Sequence, residues 1–339
     1  RRRHTRYPLV TGVQTCALPI CRKSMPPWSG LLALLVVLMA VMAVLEPGFV
    51  SQSNINNIIR AAAMPCVLGI GMTFAILTAG LDLSVGSVVA YSGVLLAVTA
   101  KIMPSYTAVG ATFVIVTLTV GGLNGVLVGK WNLNPFVVTL GALGIFRGIA
   151  YVITNGATQV VETGKLIKVL GDGNVGPVPG PLIVAVVLWI IAGYVLRYTY
   201  FGRDVYAVGG NEYAAQLAGI NTRKVKIVVY IISGACAALG GIMQVGRLES
   251  AAPTAGAGLE LAVVAGVLLG GTRLSGGVGT ITGTIIGIFF LKVVSNALTI
   301  LGVNSYWQDI VTGVLLVAAV LFDRIRLEIS NRTAQRKES

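Results

Sequence analysis

Long apolar stretches constrain this chain more than any other feature. A helix that crosses a bilayer needs about 20 mostly apolar residues. Only 11% of the 339 residues are charged and 55% are hydrophobic, whereas soluble domains carry about 25% charged residues. We therefore predict an all-α, polytopic membrane protein with about ten helices, at roughly 29–47, 57–79, 83–103, 107–129, 135–155, 181–199, 226–246, 258–272, 279–301 and 306–322.

The distribution of basic residues predicts the orientation of these helices. The formal net charge is +13, and Lys and Arg collect in the cytoplasmic loops of membrane proteins. With a cytoplasmic amino terminus, the outside carries only Lys101, Lys165, Lys168 and Arg247, with Arg60 near that surface. The inside carries Lys130, Arg197, Arg203, Arg223, Lys224, Lys226, Arg273, Arg324, Arg326, Arg332, Arg336 and Lys337. We expect both termini in the cytoplasm and a lipid bilayer, not a nucleic acid, as the reason for the positive charge.

Cysteine and histidine usage argues against metal and redox chemistry. The four cysteines, Cys16, Cys21, Cys66 and Cys236, lack metal-ligand spacing, and His4 is the single histidine. We expect no metal site, no disulfide framework and no histidine-based catalysis.

The first 21 residues differ in origin from the rest. Residues 10–20, VTGVQTCALPI, match the translation of a common sequencing-adapter strand at every position. We expect residues 1–21 to be an adapter-derived artefact, with a natural polar leader as the alternative. The remaining chain divides into a transmembrane domain at 22–326 and a cytoplasmic tail at 327–339.

Two loops are long enough to carry structure of their own. Residues 156–180, on the outside, are rich in Gly and Pro and suit a small exterior feature. Residues 200–225, on the inside, contain GNEYAAQLAGI. Asn211 can cap a short helix there, Glu212 suits its first turn and Gly219 can end it. The plain alternative is a solvated connector.

This interior motif resembles the coupling loop of ABC importer permeases. Five further motifs follow the order seen in the permeases of ribose, xylose and galactose importers: GMTFAILTAGLDLSVGS at 71–87, NPFVVTLG at 134–141, GAGLELAVVAGVLLGG at 256–271, GTITGTIIG at 279–287 and WQDIVTGVLLVAAVLFD at 307–323. The resemblance covers nearly all of residues 25–326.

The resemblance implies a transport subunit without ATPase activity of its own. Its partners would be cytoplasmic ABC ATPase subunits, which bind the ATP and magnesium, a periplasmic sugar-binding protein and a second permease copy in the bacterial inner membrane. The nearest match to a phosphate loop, GVLVGKW at 125–131, is one residue short and has Trp131 where Ser or Thr would bind magnesium. A short capped helix of this chain can bind in a groove of the ATPase. The residues expected to form that coupling helix are Gly210, Asn211, Glu212, Ala214, Ala215, Gly219 and Ile220.

Asp82 is the most unexpected residue, because a carboxylate facing lipid at mid-membrane costs about 2.5–3.5 kcal/mol on insertion scales. GLDLSVG at 80–86 shares the pattern G-x-[charge]-L-S-x-G with GTRLSGG at 271–277. Non-helical backbone at membrane depth must be buried in protein or line a water-filled cavity. We therefore expect Asp82 at an intracellular vestibule and hypothesise that it pairs with Arg273 when an inner gate closes. Local capping of the third helix by Asp82 or Ser84 is the alternative.

Other polar residues are candidates for the translocation path or its gates. Glu260 either caps its helix or forms an exterior gate or binding-protein contact, and Arg147 is expected to pair inside the bundle. For Asn296, Gln308 and Asp309 we favour helix-to-helix contacts in two of the three, and Lys292 is expected to snorkel. The candidate path residues are Asp82, Ser84, Ser87, Asn134, Glu260, Arg273, Asn296 and Gln308.

Two other functions compete with an ATP-driven importer. A secondary transporter coupled to an ion gradient would cycle a proton on Asp82 or Glu260, but it would not need a coupling loop. A membrane-embedded enzyme is poorly supported, because the sequence contains neither HExxH nor GxSxG.

Overall fold

The computed structural model describes residues 26, 28–304, 306–308, 310–318 and 321. The expectations for residues 1–21, for Asp309 and for the tail at 327–339 lie outside these residues. The described chain is mostly helical, and its helices are α1 (Ser29–Leu45), α2 (Gln52–Leu77), α3 (Val85–Thr99), α4 (Ser105–Lys130), α5 (Pro135–Thr154), α6 (Lys165–Gly171), α7 (Gly180–Tyr198), α8 (Tyr200–Gly210), α9 (Glu212–Leu217), α10 (Thr222–Leu248), α11 (Leu259–Leu269), α12 (Ile281–Ile300) and α13 (Tyr306–Ala318).

Six of these helices are long and apolar enough to cross a membrane: α2, α4, α5, α7, α10 and α12. Four shorter apolar helices, α1, α3, α11 and α13, occupy the other predicted stretches. Each of the ten predicted stretches therefore contains one apolar helix. The chain is a multi-pass, predominantly α-helical membrane protein.

Helices α2 and α10 form the centre of the bundle. In their most apolar 18-residue windows, 78% of α2 and 67% of α10 is buried, against 22% for α5 and 28% for α7. Helix α10 packs against α2, α3 and α4. The central pair is therefore covered by protein, whereas α5 and α7 expose most of their apolar surface to lipid or to other subunits.

Glycines let α4 approach α10 closely. A Cβ on Gly121 would lie 2.9 Å from the Cα of Ile231, and one on Gly125 would lie 2.8 Å from the carbonyl oxygen of Ile227. Small residues allow such backbone approach between membrane helices. Helix α4 contains two π-helical turns, Thr117–Gly121 and Val126–Lys130, on this stretch.

The glycines of GTITGTIIG also form a helix contact. Side chains at Gly283 and Gly287 would collide with the backbone of Gly270, just after α11, and of Gly266 in α11. A Cβ on Gly279 would meet Thr272 instead. Two of the three glycines thus pack α12 closely against α11 and the residue that follows it.

The segment at 156–180 forms the small feature expected of it. Strand β1 (Gln159–Val160) pairs antiparallel with β4 (Ser250–Ala251), and β2 (Asn174–Val175) forms a hairpin with β3 (Val178–Pro179). Helix α6 lies between the two sheets in sequence. Ion pairs from Arg60 to Asp172 at 3.0 Å and from Lys168 to Glu249 at 3.1 Å attach the feature to α2 and to the end of α10.

Three non-helical segments lie beside the short helices: residues 78–84 before α3, 252–258 before α11 and 270–280 after it. The 11 residues of α11 span about 16 Å, whereas the hydrocarbon core is about 30 Å thick. The non-helical backbone must therefore complete this part of the bundle, and its polar groups need partners in the protein.

The α4–α10 contact makes a testable prediction. Gly125→Leu should destabilise the protein by about 1–3 kcal/mol, because the new side chain has to displace the α10 backbone. Gly122→Leu in the same helix should change the stability by less than about 0.5 kcal/mol, since nothing lies within 4 Å of a Cβ at that position. Thermal unfolding in detergent would measure both, and equal melting temperatures for the two variants would contradict the packing.

Candidate functional site

Asp82 is buried in protein and is held by hydroxyl groups. Its side chain is 2% exposed. Oδ1 accepts hydrogen bonds from the backbone N–H of Ser84 at 3.0 Å and from its hydroxyl at 2.5 Å, and Oδ2 accepts from the Ser233 hydroxyl of α10 at 2.6 Å. Asn124 of α4 donates to the Ser84 hydroxyl at 3.1 Å. The carboxylate therefore joins the start of α3 to α4 and α10.

The backbone next to Asp82 is also held by side chains. The carbonyl of Leu81 accepts from Thr139 of α5 at 3.2 Å and from Tyr230 of α10 at 3.3 Å. These bonds satisfy polar backbone that would be costly at membrane depth. Three helices, α4, α5 and α10, thus fix the 78–84 segment.

This arrangement bears on two expectations about Asp82. It does not line an open vestibule in this conformation, because protein covers it on all sides. The hypothesis that it pairs with Arg273 when an inner gate closes stays a prediction, since its hydrogen bonds in this structure go to Ser84 and Ser233. Asp82 accepts the N–H of Ser84 immediately before α3, while the Ser84 side chain makes no capping bond.

The motif at 271–277 meets the end of α2 through the backbone. The N–H of Gly277 donates to the carbonyl of Leu77 at 3.0 Å. Gly209, in α8, packs against both groups, and a Cβ there would collide with the Leu77 carbonyl. The end of α2, the 270–280 segment and the end of α8 therefore meet at one junction, which we call the glycine junction (Leu77, Gly209 and Gly277).

Tyr206 reinforces the glycine junction from α8. Its hydroxyl donates to the carbonyl of Gly279 at 2.8 Å. Burial raises the pKa of this hydroxyl above its ordinary value, so that it remains a donor at neutral pH. This contact ties α8 to the segment that precedes α12.

The short helix expected in the interior loop is present as α9. Asn211 is its N-cap, with Oδ1 accepting from the N–H of Ala214 at 2.9 Å, and Glu212 lies in the first turn. Gly219 has φ +85° just beyond the end of the helix, a conformation that suits glycine. Gly210 instead ends α8, a helix that the sequence did not predict as a separate element.

The residues in and just after α9 differ in their exposure to solvent. Ala215 is only 4% exposed and packs in the core, and Ile220 is half-buried, whereas Ala214 is exposed. The carboxylate of Glu212 is bound to Lys226 of α10 at 2.6 Å. Ala215 and Glu212 therefore hold α9 in place and are not its free surface.

The free surface of α9 is apolar and escaped the sequence analysis. Tyr213 is 71% exposed and Leu217 is 73% exposed. Four residues apart, they lie on the same face of the helix. The apolar i, i+4 pair in an otherwise polar loop was the signal that could have identified them.

Glu260 and Arg147 lie beside the 252–258 segment. Arg147 donates from one Nη1 atom to the carbonyls of Pro253 at 2.7 Å and Ala255 at 2.5 Å, so it pairs inside the bundle as expected, with backbone rather than with a carboxylate. Glu260 Oε1 accepts from the N–H of Gly258 at 3.3 Å, in agreement with capping. Its Oε2 atom is buried against Gly86 of α3, without a hydrogen-bond partner among the described residues.

The remaining path candidates make structural contacts. Asn296 exchanges two hydrogen bonds with Asn54 of α2, at 2.9 and 3.0 Å. Gln308 of α13 bonds to Ser295 and Thr299 of α12. The expectation that two of the three polar residues near the end of the chain join helices is thus met by Asn296 and Gln308.

Asn134 and Ser87 make local bonds. Asn134 caps α5 by accepting from the N–H of Phe136 at 2.9 Å, and it is exposed. Ser87 is buried and donates to the carbonyl of Ser84 at 2.8 Å. The candidate path residues do not form one cluster, because most of them fix helices at separate places.

Comparison with known proteins identifies the kind of transporter. Residues 54–320 match the family described as the branched-chain amino acid transport system permease component. The chain belongs to this permease family. The permease is 41% identical over 292 residues to the ribose import permease protein RbsC of Escherichia coli K12, an alignment that covers 85% of this chain and 91% of RbsC.

Two further relatives agree with this assignment. The ribose import permease protein RbsC of Bacillus subtilis is 40% identical over 291 residues, covering 86% of this chain and 90% of the relative. The L-arabinose transport system permease protein AraH of E. coli K12 is 35% identical over 297 residues, covering 88% and 90%. No solved structure matches the permease. The resemblance to sugar-importer permeases is confirmed.

The Asp82 network makes a prediction about stability. Asp82→Ala should destabilise the permease by about 1–3 kcal/mol, because it leaves the buried hydroxyls of Ser84 and Ser233 without their acceptor. Asp82→Asn should cost less, since its amide oxygen can still accept from Ser84. Thermal unfolding in detergent is the measurement, with Glu162→Ala at an exposed acidic residue as the control. An Asp82→Ala variant as stable as the control would contradict the structural role.

Proposed function

We propose that the chain is the permease subunit of an ATP-driven, binding-protein-dependent importer of a monosaccharide, a pentose or a hexose. The observation that carries the proposal is 41% identity to a ribose import permease over 85% of this chain. A periplasmic sugar-binding protein would deliver the sugar. The permease itself would supply the path and no ATP hydrolysis.

The proposed topology has ten spans with both termini in the cytoplasm of a bacterium and the protein in its inner membrane. The ten apolar helices and the basic residues of the alternate loops support it. In this orientation the feature at 156–180, its partner β4 and the start of α2 share the outer side. Helices α8 and α9 then lie on the inner side with the glycine junction.

Coupling to the ATPase would occur at α9. Tyr213 and Leu217 offer an exposed apolar face of the size that a helix presents to a groove. The ion pair between Glu212 and Lys226 prevents α9 from moving independently of α10. Residues Asn211, Ala214, Ala215, Gly219 and Ile220 would shape and support this helix, not contact the nucleotide.

Motion at α9 would reach the membrane part through the glycine junction. Helix α8 leads directly into α9, and its Gly209 touches the backbone of α2 and of the 270–280 segment. A contact between backbone atoms cannot relax by a change of side-chain rotamer, so a displacement of one segment moves the segment it touches. ATPase closure would thereby act on the segments that contain Asp82 and Arg273.

A dimer of permeases is part of the proposal. Helices α5 and α7 expose most of their apolar surface, and a second copy would cover part of it. Two copies would present two α9 helices, one for each ATPase subunit.

Co-purification tests the proposed coupling. The full chain would be expressed with its neighbouring reading frames, extracted in mild detergent and examined for a P-loop ATPase. Tyr213→Asp and Leu217→Asp should each reduce the captured ATPase at least tenfold, because they place a charge in an apolar contact. Tyr106→Asp is the matched control, since Tyr106 is 69% exposed and begins α4 on the opposite side.

Either of two results would refute this proposal. One is a chain that purifies without an ATPase although all neighbouring frames are expressed. The other is an ATPase that remains bound to the Tyr213→Asp and Leu217→Asp variants as it does to the Tyr106→Asp control. Substitutions at Ala215 or Glu212 are less informative, because both residues also hold α9 against the bundle.

A further inference from the structure

A cavity of about 320 Å³ lies between α2, α11, α12 and α13. Small-molecule sites begin at about 300 Å³. Its walls are largely apolar, and its polar lining comes from Lys292, Ser295, Gln308 and Thr312. The cavity is therefore large enough for one small solute and carries a few convergent polar groups.

Among the described residues that line the cavity, Lys292 is the only charged one. It lies in the middle of α12, and the side chain is partly buried. No hydrogen bond or ion pair joins its ammonium to another residue in the described part of the chain. An ionisable group within a membrane helix marks a substrate pathway by default unless a partner neutralises it.

The neighbouring polar groups are already engaged with one another. Ser295 donates to the side-chain oxygen of Gln308, and the Gln308 amide nitrogen donates to Thr299 at 2.9 Å. Thr312 donates to the backbone carbonyl of Gln308 at 2.8 Å. These bonds fix the wall of the cavity, and they leave the Lys292 ammonium as its unused donor.

The opposite wall is the beginning of α11. Ala257, Gly258 and Leu259 line the cavity where the non-helical 252–258 segment enters that helix. The amino-terminal end of a helix carries a partial positive charge. Discontinuous membrane helices place such ends at the sites where transporters bind anionic substrate groups.

Glu260, the acidic residue of α11, does not face the cavity. Glu260 is absent from the lining residues, and its Oε2 atom is packed against Gly86 of α3. The cavity therefore contains a lysine and a helix amino terminus and no acidic side chain from the described residues.

We infer that this cavity binds a solute that carries a carboxylate, of the sugar-acid class, with Lys292 as the ligand of the carboxylate. Hydrogen bonds between an ammonium and an anionic oxygen are roughly twice as strong as neutral ones. A neutral sugar would leave the charge of Lys292 uncompensated among apolar walls, whereas a carboxylate offsets it. The inference rests on the proposed importer function and names the class of its substrate.

Direct binding tests the inference on the full chain in nanodiscs of phosphatidylcholine. The probes are D-galacturonate and D-galactose, which share a ring and differ by the carboxylate. Calorimetry should detect galacturonate binding at least tenfold tighter than galactose binding. This comparison requires no substitution, so it stands even if a variant fails to fold.

Variants assign the effect to Lys292. Lys292→Met should weaken galacturonate binding at least tenfold and leave galactose binding unchanged, and Lys292→Arg should retain galacturonate binding within about threefold. Lys165→Met, at an exposed lysine of the exterior feature, is the control and should match the unmodified chain. Equal affinity for the two sugars, or full galacturonate binding by Lys292→Met, would overturn the inference.

A lipid phosphate is the competing source of an anionic group. The titration would be repeated in nanodiscs that contain phosphatidylglycerol. Unchanged galacturonate affinity of the unmodified chain supports the solute. Loss of its galacturonate binding in these nanodiscs would show that a lipid headgroup occupies the cavity and would overturn the inference.

These outcomes separate the inference from the proposed importer function. Binding to the purified chain requires neither an ATPase nor a binding protein. Loss of ATPase capture with intact galacturonate selectivity would refute the importer and keep the site. ATPase capture by a chain that shows no galacturonate selectivity would refute the site alone.

Discussion

The need to satisfy polar backbone inside a membrane governs this structure. Three segments lack helical hydrogen bonds beside short apolar helices, and each is held by particular side chains or by another backbone. Leu81 is bound by Thr139 and Tyr230, Pro253 and Ala255 are bound by Arg147, and Gly277 is bound by Leu77. Asp82 serves the same purpose, because its carboxylate accepts the backbone N–H of Ser84 just before α3 and the hydroxyl of Ser233 in α10. The charged side chains of Arg147 and Asp82 are retained because they supply hydrogen-bond partners that the non-helical backbone lacks.

That constraint connects α8 and α9 to the centre of the bundle. Helix α8 reaches the glycine junction with Gly209, and α9 follows it with an exposed apolar face. On the proposed function, ATPase subunits act on α9 and the junction carries their motion to the segments around Asp82 and Arg273. The feature at 156–180 is attached separately, through Arg60 and Lys168.

Much of this could be predicted from the sequence, and the failures have physical causes. Apolar length identified the ten helices, and Asn211, Glu212 and Gly219 marked α9, because capping depends on neighbours in the chain. The partners of Asp82 could not be predicted, since Ser233 is 151 residues away and has no distinguishing pattern. A shared pattern suggested a bond between Asp82 and Arg273, which stays a prediction, but it did not indicate that Gly277 would bind the Leu77 carbonyl at the end of α2. Lys292 was expected only to snorkel, because nothing in the sequence indicates a cavity beside it.

The central claim is that the glycine junction transmits motion from α9, and Gly209→Ala tests it most directly. Gly210→Ala is the matched control, since nothing lies within 4 Å of a Cβ there, whereas one on Gly209 collides with the Leu77 carbonyl. ATP-dependent sugar uptake into proteoliposomes and the amount of captured ATPase would be measured for both variants. The account predicts that Gly209→Ala keeps its ATPase and loses most of its uptake, while Gly210→Ala keeps both. Normal uptake by Gly209→Ala would contradict it.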